Sequence, residues 1–186
     1  MTEPLQSAYK KHHGTETALV KVHNDILLAL DSKKAVILVL LDLSAAFDTI
    51  DRDFLVDRFR ERGIGGSALS WISSYLSSRS QTVKIRNSFS SVSELKHGVP
   101  QGSVLGPSFF SVYAAPLADI ARSHNIDVHL YADDTQLYTS FNPSDPDSEA
   151  HARTRMEACI AEMKTWMTCN KLKLNDDKSE LLIIAS

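Results

Sequence analysis

The sequence predicts a mixed fold of helices and strands, and three observations carry that prediction. The first is Asp127 to Phe141, DVHLYADDTQLYTSF, in which β-prone runs flank Ala132-Asp133-Asp134. Val128 and Leu130 alternate there with His129 and Tyr131, the period of two expected of a half-buried strand. The stretch reads as a hairpin whose turn carries adjacent carboxylates. The second is the apolar run Ala35 to Leu43, enriched in Val and Ile, which fits a buried strand better than a helix. The third is helical spacing at Thr15 to Asp31 and again at Glu149 to Asn170.

A length of 186 residues suits one domain with a sizeable core, or a piece of a larger one. The composition, 43% hydrophobic and 23% charged, is that of an ordinary globular chain. The longest apolar run is far too short to cross a bilayer, and Met1 to His13 is polar, without the apolar segment of a signal peptide. No membrane partner is expected; a reducing compartment, nucleus or cytoplasm, fits the sequence, which does not fix the location. Cys159 and Cys169 have no second pair, which argues against a zinc site and a disulfide framework. A net charge of −3 exerts no global pull on nucleic acid, so any such binding must come from local patches.

In chain order, Thr15 to Asp31 places Ala18, Leu19, Val22, Ile26 and Leu30 on one helical face. After the apolar strand, Asp51 to Arg62 is an amphipathic helix closed by Gly63, and Ser67 to Leu76 is a second. Gln81 to Arg86 and Ser91 to Leu95 read as a ribbon. Arg79, Lys84, Arg86 and Lys96 stand there against the single acid Glu94, making this the most basic stretch and the best candidate for touching phosphates. A solvated hairpin face is the bland alternative. Gly98 to Ser103 is a loop, and Pro107 opens a helix to about Ser123 that Pro116 should kink. Asn142 to Ser148 is a loop. The Met and Trp residues of the helix Glu149 to Asn170 read as core packing rather than a cofactor site. Leu172 to Asp177 turns into a last strand, Ser179 to Ala185.

The chemistry lies in the acids. Adjacent carboxylates raise each other's pKa unless a cation sits between them, and a divalent metal is the usual partner. Asp is also common in turns for local reasons. Asp42, at the end of the apolar strand, is poorly placed for a merely solvated role. If that strand lies beside the hairpin, Asp42, Asp133 and Asp134 converge at one end of a sheet, as a site for two divalent ions requires.

LLDLSAAFDTID (Leu40 to Asp51), GVPQGSVLGPSFF (Gly98 to Phe110), YADD (Tyr131 to Asp134) and KLKLNDDKSELLI (Lys171 to Ile183) occur in that order. They resemble motifs A to D of the reverse-transcriptase palm of non-LTR retrotransposons, and QSAYKKHHGTETAL (Gln6 to Leu19) resembles the preceding fingers motif. The resemblance implies an RNA-directed DNA polymerase with an α+β palm, an antiparallel sheet with helices packed on one face. The apolar strand and the hairpin would be its central strands. Residues 1–34 would be a residual fingers segment and connecting helix, and 35–186 the palm.

The same resemblance implies site roles. Asp42, Asp133, Asp134 and the Leu43 carbonyl would hold two Mg²⁺, with Mn²⁺ as a substitute. Phe47 would sit under the nucleotide's sugar and leave no room for a 2′-hydroxyl, with a core phenylalanine as the alternative. Gln101 and Gly102 would line the nucleotide and template side, glycine allowing close backbone approach. Lys178 would be a general acid beside the pyrophosphate, or simply an exposed lysine. Lys10 would grip the triphosphate, although the family commonly has arginine there and the exchange is not conservative at a bidentate site. Arg79, Lys84, Arg86 and Tyr131 would touch nucleic acid. The implied partners are an RNA template, a DNA primer, dNTPs and a second chain supplying fingers or thumb.

Against the family's pattern, a longer fingers region before Gln6, a primer grip and thumb after Ser186, and an endonuclease domain are missing. Little processive synthesis by the chain alone is therefore expected, because positioning carries much of the rate. A non-enzymatic remnant that binds nucleic acid or protein stays open beside the polymerase reading. A two-metal nuclease is disfavoured by the nucleotide-facing Gln101.

Overall fold

In the computed structural model, which describes residues 3–185, the helical period after Gly14 closes into α1 (Thr15–Asp31). The apolar run forms β1 (Ala35–Leu41) and breaks at Asp42, after which β2 (Leu43–Ser44) is a separate two-residue strand. The α2 helix (Arg52–Glu61) starts on the Asp51 side chain, which accepts hydrogen bonds from the N–H groups of Asp53 and Phe54, and α3 (Gly66–Leu76) follows. The ribbon is nested: β3 (Ser80–Gln81) pairs with β6 (Ser93–Glu94), and inside it β4 (Lys84–Ile85) pairs with β5 (Ser88–Phe89).

Pro116 divides the next helical stretch into α4 (Gly106–Ala114) and α5 (Pro116–Ser123), and Ala115 between them keeps helical dihedrals (φ −54°, ψ −33°), so the interruption sits where the kink is expected. The hairpin forms as β7 (Asp127–Tyr131) and β8 (Asp134–Phe141). The long helix α6 (Pro146–Cys169) begins three residues before Glu149, because Asp145 caps it and proline is suited to a first turn. Residues 172–177, expected to be a turn, also contain the short strand β9 (Lys173–Leu174). A 3₁₀ turn at Asp176–Lys178 leads into β10 (Glu180–Ile184).

The main sheet is antiparallel throughout, in the order β10-β1-β8-β7. The central strands are therefore β1 and β8. The other hairpin arm, β7, lies outside them, because a two-residue turn can pair only one arm with β1. Its outer edge is covered by the N-terminal segment: Ser7 N–H donates to Leu130 O at 2.9 Å, and Leu130 N–H to Leu5 O at 2.9 Å.

The two faces of the sheet are both used. Ile37, Val39, Leu41, Val128, Leu130 and Leu137 turn toward α2 to α6 and form the main core with Phe110, Tyr113, Met163 and Met167. Val36 and Tyr138 turn the other way, onto Val22 and Ile26 of α1. The α+β class and the helix-backed sheet hold, while α1 adds cover to the second face. This is why His129, expected on the open side of a half-buried strand, is only 4% exposed. Tyr113 ties the helical layer together: its hydroxyl donates to Asn170 O at 2.6 Å and accepts from Asp51 N–H at 3.3 Å. Both cysteines are free, and burial pushes the Cys159 thiol up to about 11. Among the described residues no helix is long and apolar enough to cross a membrane.

Candidate active site

The site lies where the two central strands end side by side. Alternation puts Leu41 and Thr135 on the main-core face, so Asp42 and Asp134, with Leu40 and Gln136, fall on the opposite one. Leu41 pairs with Thr135, and the next step across the ladder sets Asp42 against Asp134. Both line a cleft of about 510 Å³ with Leu40, Gln136, Lys178 and Glu180.

Asp133 occupies the turn rather than the cleft wall. Its charge still reaches the site. The Asp134 carboxyl is held above its ordinary range, first by desolvation and then by Asp133 and Asp42. Among the described residues no three His, Cys, Asp or Glu side chains stand close enough to hold an ion as placed. The acids share one end of the sheet without closing on a point.

Asp42 is fixed from the far side by Asn175, whose side-chain amide donates to Asp42 Oδ2 at 3.0 Å and whose N–H donates to Asp42 O at 2.8 Å. With Leu43 opposite Leu174, the alternation of an antiparallel ladder makes that next pair non-hydrogen-bonded, so the Leu43 carbonyl points away from β9. The Lys178 ammonium stands 3.9 Å from Asp42 Oδ2 and is largely exposed. The pair is too open for a strong ion pair.

Phe47 is half-buried, with its ring centroid 5.1 Å from that of Phe110. Its main chain is stitched to the loop before α4, where Val99 N–H donates to Phe47 O at 2.9 Å and Gly98 N–H to Ile50 O at 2.8 Å. In that loop Gln101 and Gly102 are exposed. Glycine is required at 102 by its φ of +76°, not by a close neighbour, since a Cβ there would meet nothing within 4 Å.

Other sequence candidates lie outside the cleft. The Lys10 ammonium donates to Glu3 O at 2.6 Å and Pro4 O at 3.2 Å, so it closes the N-terminal segment rather than lining the cleft. Arg79 lies 4.4 Å over the Tyr75 ring, with its Nε–H on Tyr75 O at 2.7 Å. Lys84 covers Phe89 at 5.2 Å, and Arg86 is at the exposed ribbon tip with a φ of +55°. Tyr131 ends β7, paired with Asp134.

Sequence reading missed Gln6, Asn175 and Tyr9. Tyr9 is 58% exposed, and its phenol is pushed up by burial, then by Asp133 and Tyr131, which places it by the acidic turn. The positive φ of Ala132, +56°, left no mark in the sequence, because glycine is the residue that signals it.

His129, paired with Gln136 on the face of the sheet that α1 covers, has a measurable consequence. Neither ring nitrogen has a hydrogen-bond partner among the described residues. Burial first, then Lys21, His13 and Lys10, push it below its ordinary 6.5, against the opposing pull of Asp25. A lowered histidine leaves stability intact above 6.5 and removes it as pH falls toward the depressed value, because the unfolded chain takes the proton first. Each pH unit within that window costs about 1.4 kcal/mol. Urea denaturation at pH 7.5 and 5.5 is expected to show a larger acid loss for the parent chain than for His129→Leu. Equal losses would refute this.

Residues 1–183 match the family model described as reverse transcriptase (RNA-dependent DNA polymerase). Among curated relatives, the probable RNA-directed DNA polymerase from transposon BS of Drosophila melanogaster is 30% identical over 179 residues. The RNA-directed DNA polymerase from mobile element jockey, of the same species, is 31% identical over 179 residues. Each match takes in 94% of this chain and 19% of the relative, so the chain spans about a fifth of their length. Among solved structures, telomerase from Candida albicans superposes with a TM-score of 0.66 at 16% identity, over 91% of this chain and 31% of that one. Telomerase from Candida tropicalis gives 0.63 at 14%, over 97% and 36%. At such identities these structures speak for the fold alone.

Proposed function

The chain belongs to the reverse transcriptase (RNA-dependent DNA polymerase) family, and on that premise we propose that its acidic cleft transfers deoxynucleotides onto a primer 3′-hydroxyl. The observation that supports this most is the Asp42–Asp134 juxtaposition at the ends of β1 and β8, with Asp133 in the turn between strands. The donor set is all hard oxygen, and the Asp134 carboxyl, raised first by desolvation and then by Asp133 and Asp42, is one whose charged form a divalent cation would favour. The residues therefore fit Mg²⁺, with Mn²⁺ as a substitute. Asp42, Asp133, Asp134 and the Leu43 carbonyl would hold it as two ions. Bound there, they would lower the pKa of the primer hydroxyl and neutralise the triphosphate.

The chain's own groups do the rest. The Phe47 ring, backed by Phe110, forms a wall that excludes a 2′-hydroxyl from the sugar position. Gln101 and Gly102 offer exposed backbone and amide to the nucleotide beside that wall. Lys178 holds a proton near the leaving pyrophosphate, and its loose contact with Asp42 leaves it free to swing. Arg79, Lys84, Arg86 and Tyr131 supply charge and stacking surface to an RNA template and a DNA primer.

Because the acids do not close on a common point, the isolated chain is expected to bind the ions weakly and to add nucleotides slowly. Mg²⁺-dependent addition to a primer on an RNA template tests this, with Asp133→Asn as control and circular dichroism to show that both fold. Slow addition that disappears in the control is the expected result. A folded chain that adds nothing, and whose Mn²⁺ binding is unchanged in the control, would sink it. The exposed ribbon, with Val83, Ile85, Phe89 and Val92 each at least 59% exposed beside Lys84 and Arg86, favours a second reading. In that reading the chain is a nucleic-acid binding module without catalysis, which primer–template binding without addition would indicate.

A further inference from the structure

We propose that Gln6 is a positioning residue that locks the turn presenting Asp133 and Asp134; this rests on the catalytic reading of those acids. The turn is a two-residue connection, Ala132-Asp133, between Tyr131 and Asp134. A positive φ at the first position is the sign pattern of a type II′ turn, where glycine is preferred. Here the residue is alanine at +56°, a conformation that persists only where its surroundings impose it.

Gln6 supplies that constraint. Its side-chain oxygen accepts the Ala132 N–H at 3.0 Å, and its amide nitrogen donates to Ala132 O at 3.2 Å. One carboxamide thus engages both backbone polar groups of the strained residue, and those groups dictate which end of the amide faces which. The same oxygen accepts the Ala8 N–H at 3.0 Å, and the residue is 2% exposed. The segment carrying Gln6 is itself anchored, by the parallel bridge to Leu130 and by the Glu3–Arg122 ion pair. Gln6 touches neither carboxylate; it acts through the residue before them.

The task calls for a donor and an acceptor at the length of a glutamine. Asparagine keeps the amide but is one methylene short. Methionine matches the length and leaves three backbone groups unpaired in a buried place. Ala132→Gly removes the conformational penalty at its source, so it separates a turn lock from a mere core contact.

Amide hydrogen exchange of Ala132 and Mn²⁺ affinity, measured on the folded chain, form the test. In the parent chain the Ala132 N–H is expected to be protected. Gln6→Met should speed its exchange at least tenfold, leave the Leu137 amide within about twofold, and weaken Mn²⁺ binding about fivefold. Adding Ala132→Gly should restore most of that affinity. If Gln6→Met does not fold, Gln6→Asn is read by the same measures. An unprotected Ala132 amide in the parent chain would overturn the proposal. So would unchanged exchange in the variants, or a loss of affinity that Ala132→Gly fails to restore. Asp133→Asn judges the catalytic reading separately: if it leaves Mn²⁺ binding intact, that reading fails, and the turn lock is decided by Ala132 exchange alone.

Discussion

Gly98→Ala is expected to destabilise the chain by about 3 kcal/mol, far more than the same change at Gly63. Both glycines have nearly the same backbone, with φ of +82° and +81°. A Cβ at 63 would meet nothing within 4 Å, so alanine there carries only the left-handed penalty of about 1–2 kcal/mol. At 98 it would lie 2.9 Å from Asp48 O and 3.0 Å from Asp48 Cα and Phe47 O. All three are backbone atoms, which cannot rotate away. The approach is close because the loop before α4 is sewn to the turn after Asp42, with Arg52 Nε–H also donating to Gly98 O at 3.2 Å. A bulkier residue would pull apart the segment that carries Phe47 and the one that carries Gln101. Urea midpoints of the two variants check it, and similar losses at both positions would refute the contact argument.

What the sequence made legible follows from the range of the interactions. The hairpin, the apolar strand and α1 are written in local periods, so their existence could be read directly. The gathering of Asp42 and Asp134 needed one further premise, that β1 lies beside the hairpin, and the pairing of Leu41 with Thr135 supplies it. What stayed hidden is long-range. Gln6 reaches Ala132 across 126 positions and Asn175 reaches Asp42 across 133, and neither residue type is unusual in its local setting. The period of α1 announced an apolar face but not that the face would cover the second face of the sheet, which is why the burial of His129 could not be foreseen. Lys10 shows the same limit from the other side: a family position suggests a phosphate there, and the fold sets its ammonium on the carbonyls of Glu3 and Pro4.

Phe110→Ala is expected to show the largest loss of all, about 4 kcal/mol, through the buried ring's lost transfer energy and the cavity left behind. For a chain of this size that corresponds to a fall in Tm of about 10 °C. Phe110 is fully buried on α4 and packs on Phe47 at an interplanar angle of 31°. The comparison is Phe89→Ala, whose ring is 65% exposed on the ribbon, and which should stay within about 0.5 kcal/mol of the parent. Thermal unfolding of both variants decides the matter: a Phe110 variant as stable as the Phe89 variant would mean that the core closes over the gap. The loss should not be confined to stability. Phe47 is only half-buried and leans on Phe110 for its orientation, so the wall proposed for the nucleotide's sugar would depend on a ring 63 positions further along the chain. The GVPQGSVLGPSFF segment therefore does two things at once: its glycine end fixes the Phe47 main chain, and its phenylalanine end fixes the ring.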